Sequence, residues 1–379
     1  MIYSPVRPTT YDDVYRKLQQ RIDELPVPFP STVSGVELRL LKALFDEREA
    51  LVALSLSALS ESVEIIQRRV GHMDQDELAS LLAGLAMKGA INAGVTRVGN
   101  KRVRTYGLAP LVIGMFEFQV DKLTPEYVRD FHEYLEEGFR SSIVGGRTGQ
   151  MRTVPVRAEI ASDRTVAPYN DIRSYVANHP GPFSVINCVC RQSAEVIGEA
   201  CTTSSTHETC LMVGHVPFRA KRLSHDEILA ILDRSEHEGH VLQPQNSQKP
   251  NFICCCCRDC CELLINARKL PRPADAIPSP YHATVDEERC TGCRVCVKRC
   301  PMNAVMVTGR VARVDEGRCI GCGLCATTCP EDAITLVLRK DASRPPKSNI
   351  WMYLRMYADR RGPLGLIGLG IRKLFGLKI

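Results

Sequence analysis

No cysteine precedes Cys188, yet the chain of 379 residues holds 18 of them. Other absences narrow the reading further. No run of about 18 uncharged apolar residues occurs, so no segment is predicted to span a bilayer. The start, Met1-Ile2-Tyr3-Ser4-Pro5, lacks a basic stretch followed by an apolar run, and the expectation is a cytoplasmic protein without an export signal. A strong charge of one sign is also missing. The net charge is +6, and the stretch from Arg339 to Ile379 carries ten Lys or Arg against two Asp or Glu, which leaves the body close to neutral. Such a body does not advertise nucleic-acid binding by charge. There is no Gly-rich dinucleotide fingerprint, no P-loop and no nucleophile motif, so a self-contained enzyme is not supported. The lack of Cys-x-x-Cys-His argues against c-type haem attachment.

The cysteines fall into three groups, Cys188 to Cys210, Cys254 to Cys261 and Cys290 to Cys329. In a reducing compartment such residues bind metal or do redox chemistry rather than form disulfides. The last group carries the one internal repeat. Val285-Asp286-Glu287-Glu288-Arg289-Cys290 recurs as Val314-Asp315-Glu316-Gly317-Arg318-Cys319. Both copies continue as Cys-x-x-Cys-x-x-Cys-x-x-x-Cys-Pro, and the second follows 29 residues after the first. Zinc could take Cys-x-x-Cys pairs, but zinc sites do not predict two duplicated four-Cys runs each closed by proline. A [4Fe–4S] cube needs one thiolate per iron. A tight three-Cys loop wraps three corners, and the fourth ligand must come from elsewhere. Gly292, Gly321 and Gly323 let backbone pass close to such cubes, and Pro301 and Pro330 turn the chain away after the last cysteine.

This segment, residues 284–338, resembles the bacterial two-cluster ferredoxin, whose motif it matches without a gap. The resemblance implies two [4Fe–4S] clusters with an exchanged fourth ligand. Cluster one would take Cys290, Cys293, Cys296 and Cys329; cluster two would take Cys319, Cys322, Cys325 and Cys300. The implied work is single-electron transfer.

Ten thiols remain upstream. Contiguous cysteines cannot all face one side: in a strand Cys254 and Cys256 oppose Cys255 and Cys257, and on a helix Cys257, Cys260 and Cys261 share a face. Cys188, Cys190, Cys201, Cys210, Cys256, Cys257, Cys260 and Cys261 are candidates for an additional metal centre. An iron–sulfur cluster comes first, structural zinc second, and a dithiol site or metal-free thiols third. His207 and His215 flank Cys210 and are candidate ligands or proton carriers, though bystander roles are the plainer reading for them and for His225, His237 and His240. Arg191 reads either as a donor to a cluster sulfur or bound anion, or as a surface arginine.

The expected fold is multidomain α+β. Residues 1–34 form an N-terminal extension with a short helix near Tyr11 to Leu25. Residues 35–120 order as helix, helix, helix and hairpin: Val36, Leu40, Leu41 and Leu44 share one helix face, Ser60 to Val70 reads as a second helix, Leu78 to Leu85 mark a third ending at Lys88-Gly89, and Gly99-Asn100 joins two strands. That order resembles a winged helix-turn-helix. Its recognition helix would lie near Asp74 to Lys88, where Asp74, Asp76 and Glu77 in the first turn would repel a phosphate backbone. The basic residues Arg97, Lys101, Arg102 and Arg104 sit on the wing, and Gln67-Arg68-Arg69 adds charge. Protein docking is therefore ranked ahead of DNA binding. Thr124-Pro125 opens a helix to about Glu137, and residues 121–180 otherwise form a connector containing Gly145-Gly146. Residues 181–270 form a Cys-rich α+β domain with a strand from Pro182 to Asn187 and a capping-box helix from Ser224 to Gly239. Four prolines between Pro271 and Pro280 separate it from the ferredoxin segment. Residues 339–379 form a basic amphipathic tail, with Trp351, Leu364, Ile371 and Phe375 among Arg360, Arg361 and Arg372. It is read as packed on its own protein, with peripheral contact to an anionic membrane surface or a partner as alternatives.

The whole arrangement resembles a set of Cys-rich, ferredoxin-containing bacterial proteins, a likeness that implies architecture and no activity. The leading functional expectation is an electron-transfer protein working with a partner oxidoreductase. A redox- or iron-responsive DNA-binding regulator is second, and a reductase subunit acting at the extra metal centre is third.

Overall fold

The computed structural model describes residues 11–71, 73–140, 148–157, 167, 169–217, 220–374 and 377–379. The first ten residues, Gly145-Gly146 and Phe375, all read above from sequence, lie outside them. The chain divides into two compact units, Met1–Gly145 with Tyr357–Ile379, and Gly146–Met356.

The first unit is mainly helical. The helix Tyr11–Asp23 buries Tyr15, Leu18 and Ile22, and the Tyr15 hydroxyl donates to the Phe45 carbonyl at 2.8 Å. The stripe expected from Val36 to Leu44 is a helix over those residues, with Val36, Leu40 and Leu41 buried. A further helix, Glu47–Ala53, follows at once. Its sequence signal is the capping box Asp46-x-x-Glu49, whose reciprocal side-chain bonds are both present. Ser60 to Val70 is not all helix: strand β1 (Glu61–Ser62) precedes the helix Val63–Val70. The next helix, Gln75–Lys88, stops at Gly89 with φ near 78°, a left-handed cap suited to glycine. Strands β2 (Ile91–Val98) and β3 (Lys101–Leu108) form the hairpin, and β1 adds to β3.

The tail contributes to this unit from Tyr357 onward. Helix Asn349–Leu374 is broken at Gly362-Pro363 because proline cannot continue the helical hydrogen-bond ladder. Arg360 donates to the Asp23 carbonyl at 2.9 Å and pairs with its carboxylate at 3.0 Å, and Lys378 donates to the Leu54 carbonyl at 2.8 Å. Leu364, Ile367 and Ile371 are exposed. Among the described residues no helix is long and apolar enough to cross a membrane.

The second unit holds all the cysteines. Strands β4 (Phe183–Asn187), β5 (Glu208–Val213), β6 (Lys221–Leu223), β7 (Val241–Pro244) and β8 (Phe252–Cys256) make one antiparallel sheet, ordered β6-β4-β5-β8-β7. The capping-box helix His225–Glu238 packs on it through Ile228, Ile231 and Leu232. Strand β9 (Tyr281–Val285) pairs with β12 (Ile334–Leu338), and β10 (Val305–Thr308) with β11 (Val311–Val314). The prolines between 271 and 280 do not interrupt the core. Val185, Leu211, Leu242 and Ile253 of the larger sheet belong to the same buried cluster as Met302, Ile320, Leu324 and Leu336.

Two glycines of the 281–338 segment show what its tight path requires. Gly309 and Gly321 both have φ above 60°, but a Cβ at Gly309 meets open space, whereas one at Gly321 runs into the Tyr281 carbonyl and Ser279. Gly309→Ala is expected to cost about 1 kcal/mol, and Gly321→Ala roughly 3 kcal/mol or more because strain and overlap add. Unfolding midpoints of anaerobically prepared protein compare them; equal effects would contradict the close backbone approach.

Candidate iron–sulfur and metal sites

The 29-residue duplication is visible in hydrogen bonds as well as in sequence. The Ala304 N–H donates to Cys300 Sγ at 3.2 Å, and the Ala333 N–H to Cys329 Sγ at 3.3 Å. Across the repeats, the Ala283 N–H donates to Cys319 Sγ at 3.4 Å, and the Ala312 N–H to Cys290 Sγ at 3.3 Å. Each bond maps onto its counterpart by the repeat. N–H···S bonds of this kind favour the thiolate form and stabilise added negative charge near it.

The cysteines ring two cavities. One is lined by Cys290, Cys293, Cys296 and Cys329, the other by Cys300, Cys319, Cys322 and Cys325. Each cavity thus collects three cysteines from one run and the last cysteine of the other. The residues fit iron–sulfur clusters on these grounds: four convergent thiols per cavity, backbone donors aimed at sulfur, and glycine where a side chain would intrude. Gly292 at φ +70° passes so close to Arg310 that a Cβ would meet its carbonyl oxygen at 2.7 Å. The two cavities differ in exposure. Cys293 is exposed and Cys290 and Cys329 half-buried, whereas Cys300, Cys319, Cys322 and Cys325 are all buried. Burial pushes the Cys319, Cys322 and Cys325 thiols up, so thiolates there need a compensating cation.

The ten upstream cysteines separate into two groups and one outlier. Six form a chain of thiol contacts. Cys210 and Cys256 bond to Cys254 and hold it down to about 5; Cys190 and Cys256 bond to Cys261 and hold it well below the usual thiol range; Cys190 also bonds to Cys188. This group draws on the end of β4, the helix Val189–Val196, β5, β8 and the residue before the helix Glu262–Arg268. The second group is Cys201, Cys257 and Cys260 with Asp259, whose ligand atoms all lie within 4.8 Å of one another. The outlier is Cys255, which the alternation of β8 points to the opposite side from Cys254 and Cys256. Burial pushes it up to about 12. The eight candidates read from sequence therefore split, with Cys188, Cys190, Cys210, Cys256 and Cys261 on one side and Cys201, Cys257 and Cys260 on the other. Cys254 and Asp259 join them. The period-two signal was available for Cys254; Asp259 was legible only as the acid inside Cys257-x-x-Cys260.

Arg191 lies between the groups and is not a surface residue: it is fully buried. Its guanidinium donates to the Thr206 carbonyl, to the Cys255 carbonyl at 3.3 Å and to His240 Nε2 at 3.0 Å. Burial works against its charge, but Cys257 and Cys188 hold it protonated. His240 is pushed down to about 3 by burial and then by Arg191, and a neutral ring is what lets Nε2 accept. The other histidines read from the sequence make different contacts. The His207 ring faces Glu195 at 3.5 Å, and its backbone carbonyl accepts the Cys188 N–H at 2.7 Å. His215 lines an open cleft of about 570 Å³ with Tyr175, His179 and Lys249. His225 donates to the His179 carbonyl at 2.9 Å, and the His237 carbonyl accepts from Arg299 at 2.8 Å.

In the first unit the acidic helix start keeps its character. Asp74 caps the helix by accepting from the Asp76 and Glu77 N–H groups, Glu77 pairs with Arg48, and Lys88 pairs with Glu49 at 2.6 Å. The turn end of the hairpin is exposed, with Arg97 directly opposite Arg102.

Residues 283–336 match the family model of a 4Fe-4S dicluster domain. That segment is a ferredoxin dicluster domain, and together with the 18 cysteines it suggests an iron–sulfur electron-transfer protein. No curated protein and no solved structure matches the chain.

Because buried Arg191 donates to three acceptors, two of them buried, Arg191→Met is expected to lower stability by about 3 kcal/mol or more. Arg191→Lys should recover only part of that, since an ammonium lacks the planar fork. Denaturant titration under anaerobic conditions measures both; a neutral Arg191→Met would contradict the role assigned to the buried cation.

Proposed function

We propose that the chain is a one-electron carrier between a partner oxidoreductase and a metal centre in its own Cys-rich region. In this reading Cys290, Cys293, Cys296 and Cys329 hold one [4Fe–4S] cluster, and Cys319, Cys322, Cys325 and Cys300 hold the other. The six-thiol group around Cys254, Cys256 and Cys261 holds a further centre. The clusters supply one-electron chemistry when bound; the chain supplies ligands, N–H···S bonds and burial.

The observation that carries the proposal is the asymmetry of the two quartets. The quartet with exposed Cys293 is open to a partner, while the buried quartet lies against the Cys-rich loop. Arg258, one residue after Cys257, donates to the Lys298 carbonyl and to Asn303 Oδ1, both at 3.3 Å, on either side of Cys300. Arg268 donates to the Arg258 carbonyl at 3.1 Å and the Pro301 carbonyl at 3.4 Å, and Arg318 donates to the Arg268 carbonyl at 3.0 Å. These arginines fix the Cys-rich loop against the inner quartet, which suits electron passage between them.

The ligand exchange gives a direct test. Cys329→Ser alters the second repeat, yet it should lose the same cluster as Cys293→Ser, about four irons in each case. Its reduced low-temperature EPR spectrum should match that of Cys293→Ser and differ from that of Cys322→Ser. A Cys329→Ser spectrum matching Cys322→Ser instead would overturn the assignment.

A second reading rests on the exposed hairpin. From Glu47 onward the order helix, strand, helix, helix, hairpin resembles that of a winged helix, and Arg97 opposite Arg102 is a like-charge pair that a polyanion would relieve. Against it stands the acidic start of the helix Gln75–Lys88. A gel shift with genomic fragments, using loaded and cluster-free protein, separates the readings. The electron-carrier account expects no salt-sensitive complex that changes with cluster state, and such a complex would favour a regulator.

A further inference from the structure

Three thiols and one carboxylate meet outside both ferredoxin quartets and outside the six-thiol chain. Cys201 Sγ lies 3.6 Å from Cys257 Sγ and 3.5 Å from Asp259 Oδ1. Cys257 and Cys260 are a Cys-x-x-Cys pair in the turn after β8, and both are buried. Cys201 comes from a distant loop that Asp259 holds in place. Its Oδ2 accepts the Thr202 N–H at 2.7 Å, the Thr202 hydroxyl at 2.7 Å and the Thr203 N–H at 3.0 Å; its Oδ1 accepts the Thr203 hydroxyl at 2.9 Å. Oδ1 therefore keeps its other side turned toward the thiols. A metal-ligating carboxylate is commonly oriented by hydrogen bonds of this kind.

Size decides what the group can hold. Around one tetrahedral ion with metal–sulfur bonds of ~2.3 Å, neighbouring thiolates sit ~3.8 Å apart. A cube takes one thiolate per iron and spreads them over its corners. The donor atoms of Cys201, Cys257, Cys260 and Asp259 all fall within 4.8 Å. Among the described residues no other group of three or more His, Cys, Asp or Glu donors closes in this way, whereas each ferredoxin quartet lines a cavity of its own. Three thiolates and a carboxylate exceed the charge of a divalent ion by two, and the buried Arg191 guanidinium beside Cys257 offsets part of that excess.

We infer that Cys201, Cys257, Cys260 and Asp259 form a separate mononuclear site for a thiophilic divalent cation of the zinc class. The site clamps the loop after Cys201 to the turn after β8, and so orders the Arg258 contact with the inner ferredoxin quartet. The inference goes beyond the electron-carrier reading and does not depend on it, because the site needs no sulfide.

The test uses the full chain, purified anaerobically, with zinc, iron and acid-labile sulfide counted together and cobalt(II) exchanged for zinc as the optical probe. The wild-type chain should hold about one zinc. Cys201→Ser should fail to retain zinc through purification with sulfide unchanged, and under excess cobalt(II), which refills the weakened site, the thiolate charge-transfer intensity should fall by about one third as three thiolates become two. Asp259→Asn, the milder change, should keep the thiolate bands and weaken zinc retention by about 10- to 100-fold. The reduced ferredoxin EPR signal and circular dichroism serve as folding controls. Loss of iron and sulfide together in Cys201→Ser would assign these thiols to a cluster. Unchanged metal content in both variants would mean that no ion sits there. Either result overturns the inference while leaving the ferredoxin quartets intact.

Discussion

A buried thiolate needs a cation or a set of donors, and the organisation of the second unit follows from that requirement. Eight cysteines meet it by closing into two quartets, each completed by the last residue of the other's run. The exchange means that neither repeat can hold its cavity alone: Cys329 closes the cavity built by the first run, and Cys300 the cavity built by the second. The backbone bonds from Ala283, Ala304, Ala312 and Ala333 then supply a donor to four of these sulfurs. Strand pairing of β9 with β12 fixes the Ala283 donor in register, since Ala283 lies opposite Leu336 at the centre of that ladder.

The same requirement accounts for Arg191, and further arginines tie the surrounding backbone together. Arg191 is a full positive charge in the interior, held among Cys188, Cys257 and three acceptors. Arg299 reaches from the helix Val295–Arg299 to the Glu236 and His237 carbonyls, the open C-terminal end of the capping-box helix, where positive charge is favoured. Arg258, Arg268 and Arg318 tie the Cys-rich loop to residues 298–303. The ferredoxin segment is accordingly not a bead on a linker: its core is continuous with that of the larger sheet, and arginine-to-carbonyl bonds hold the two together.

How far the sequence revealed this varied with the kind of signal. The ferredoxin cavities were legible because the ligands repeat at fixed spacing over 40 residues, from Cys290 to Cys329. The helix over Val36–Leu44 and the hairpin around Gly99-Asn100 were legible because periodicity and turn chemistry are local. The helix Glu47–Ala53 was missed although Asp46 and Glu49 mark it, and the strand β1 was missed because two residues carry no period. The upstream thiols were the hardest. Their number announced metal chemistry, but the partition follows from how β4, β5 and β8 align, with Cys210 opposite Cys254 in the sheet. That pairing is a tertiary fact. Arg191 shows the same limit: nothing in Cys190-Arg191 distinguishes a surface arginine from one fully enclosed.

The central claim is that the duplicated cysteines hold iron and inorganic sulfide. Iron and acid-labile sulfide counting on anaerobically prepared full-length chain measures this most directly. The account predicts at least about eight irons and eight sulfides per chain, with a rhombic low-temperature EPR signal on reduction. A well-folded preparation with zinc in the quartets and no sulfide would contradict it.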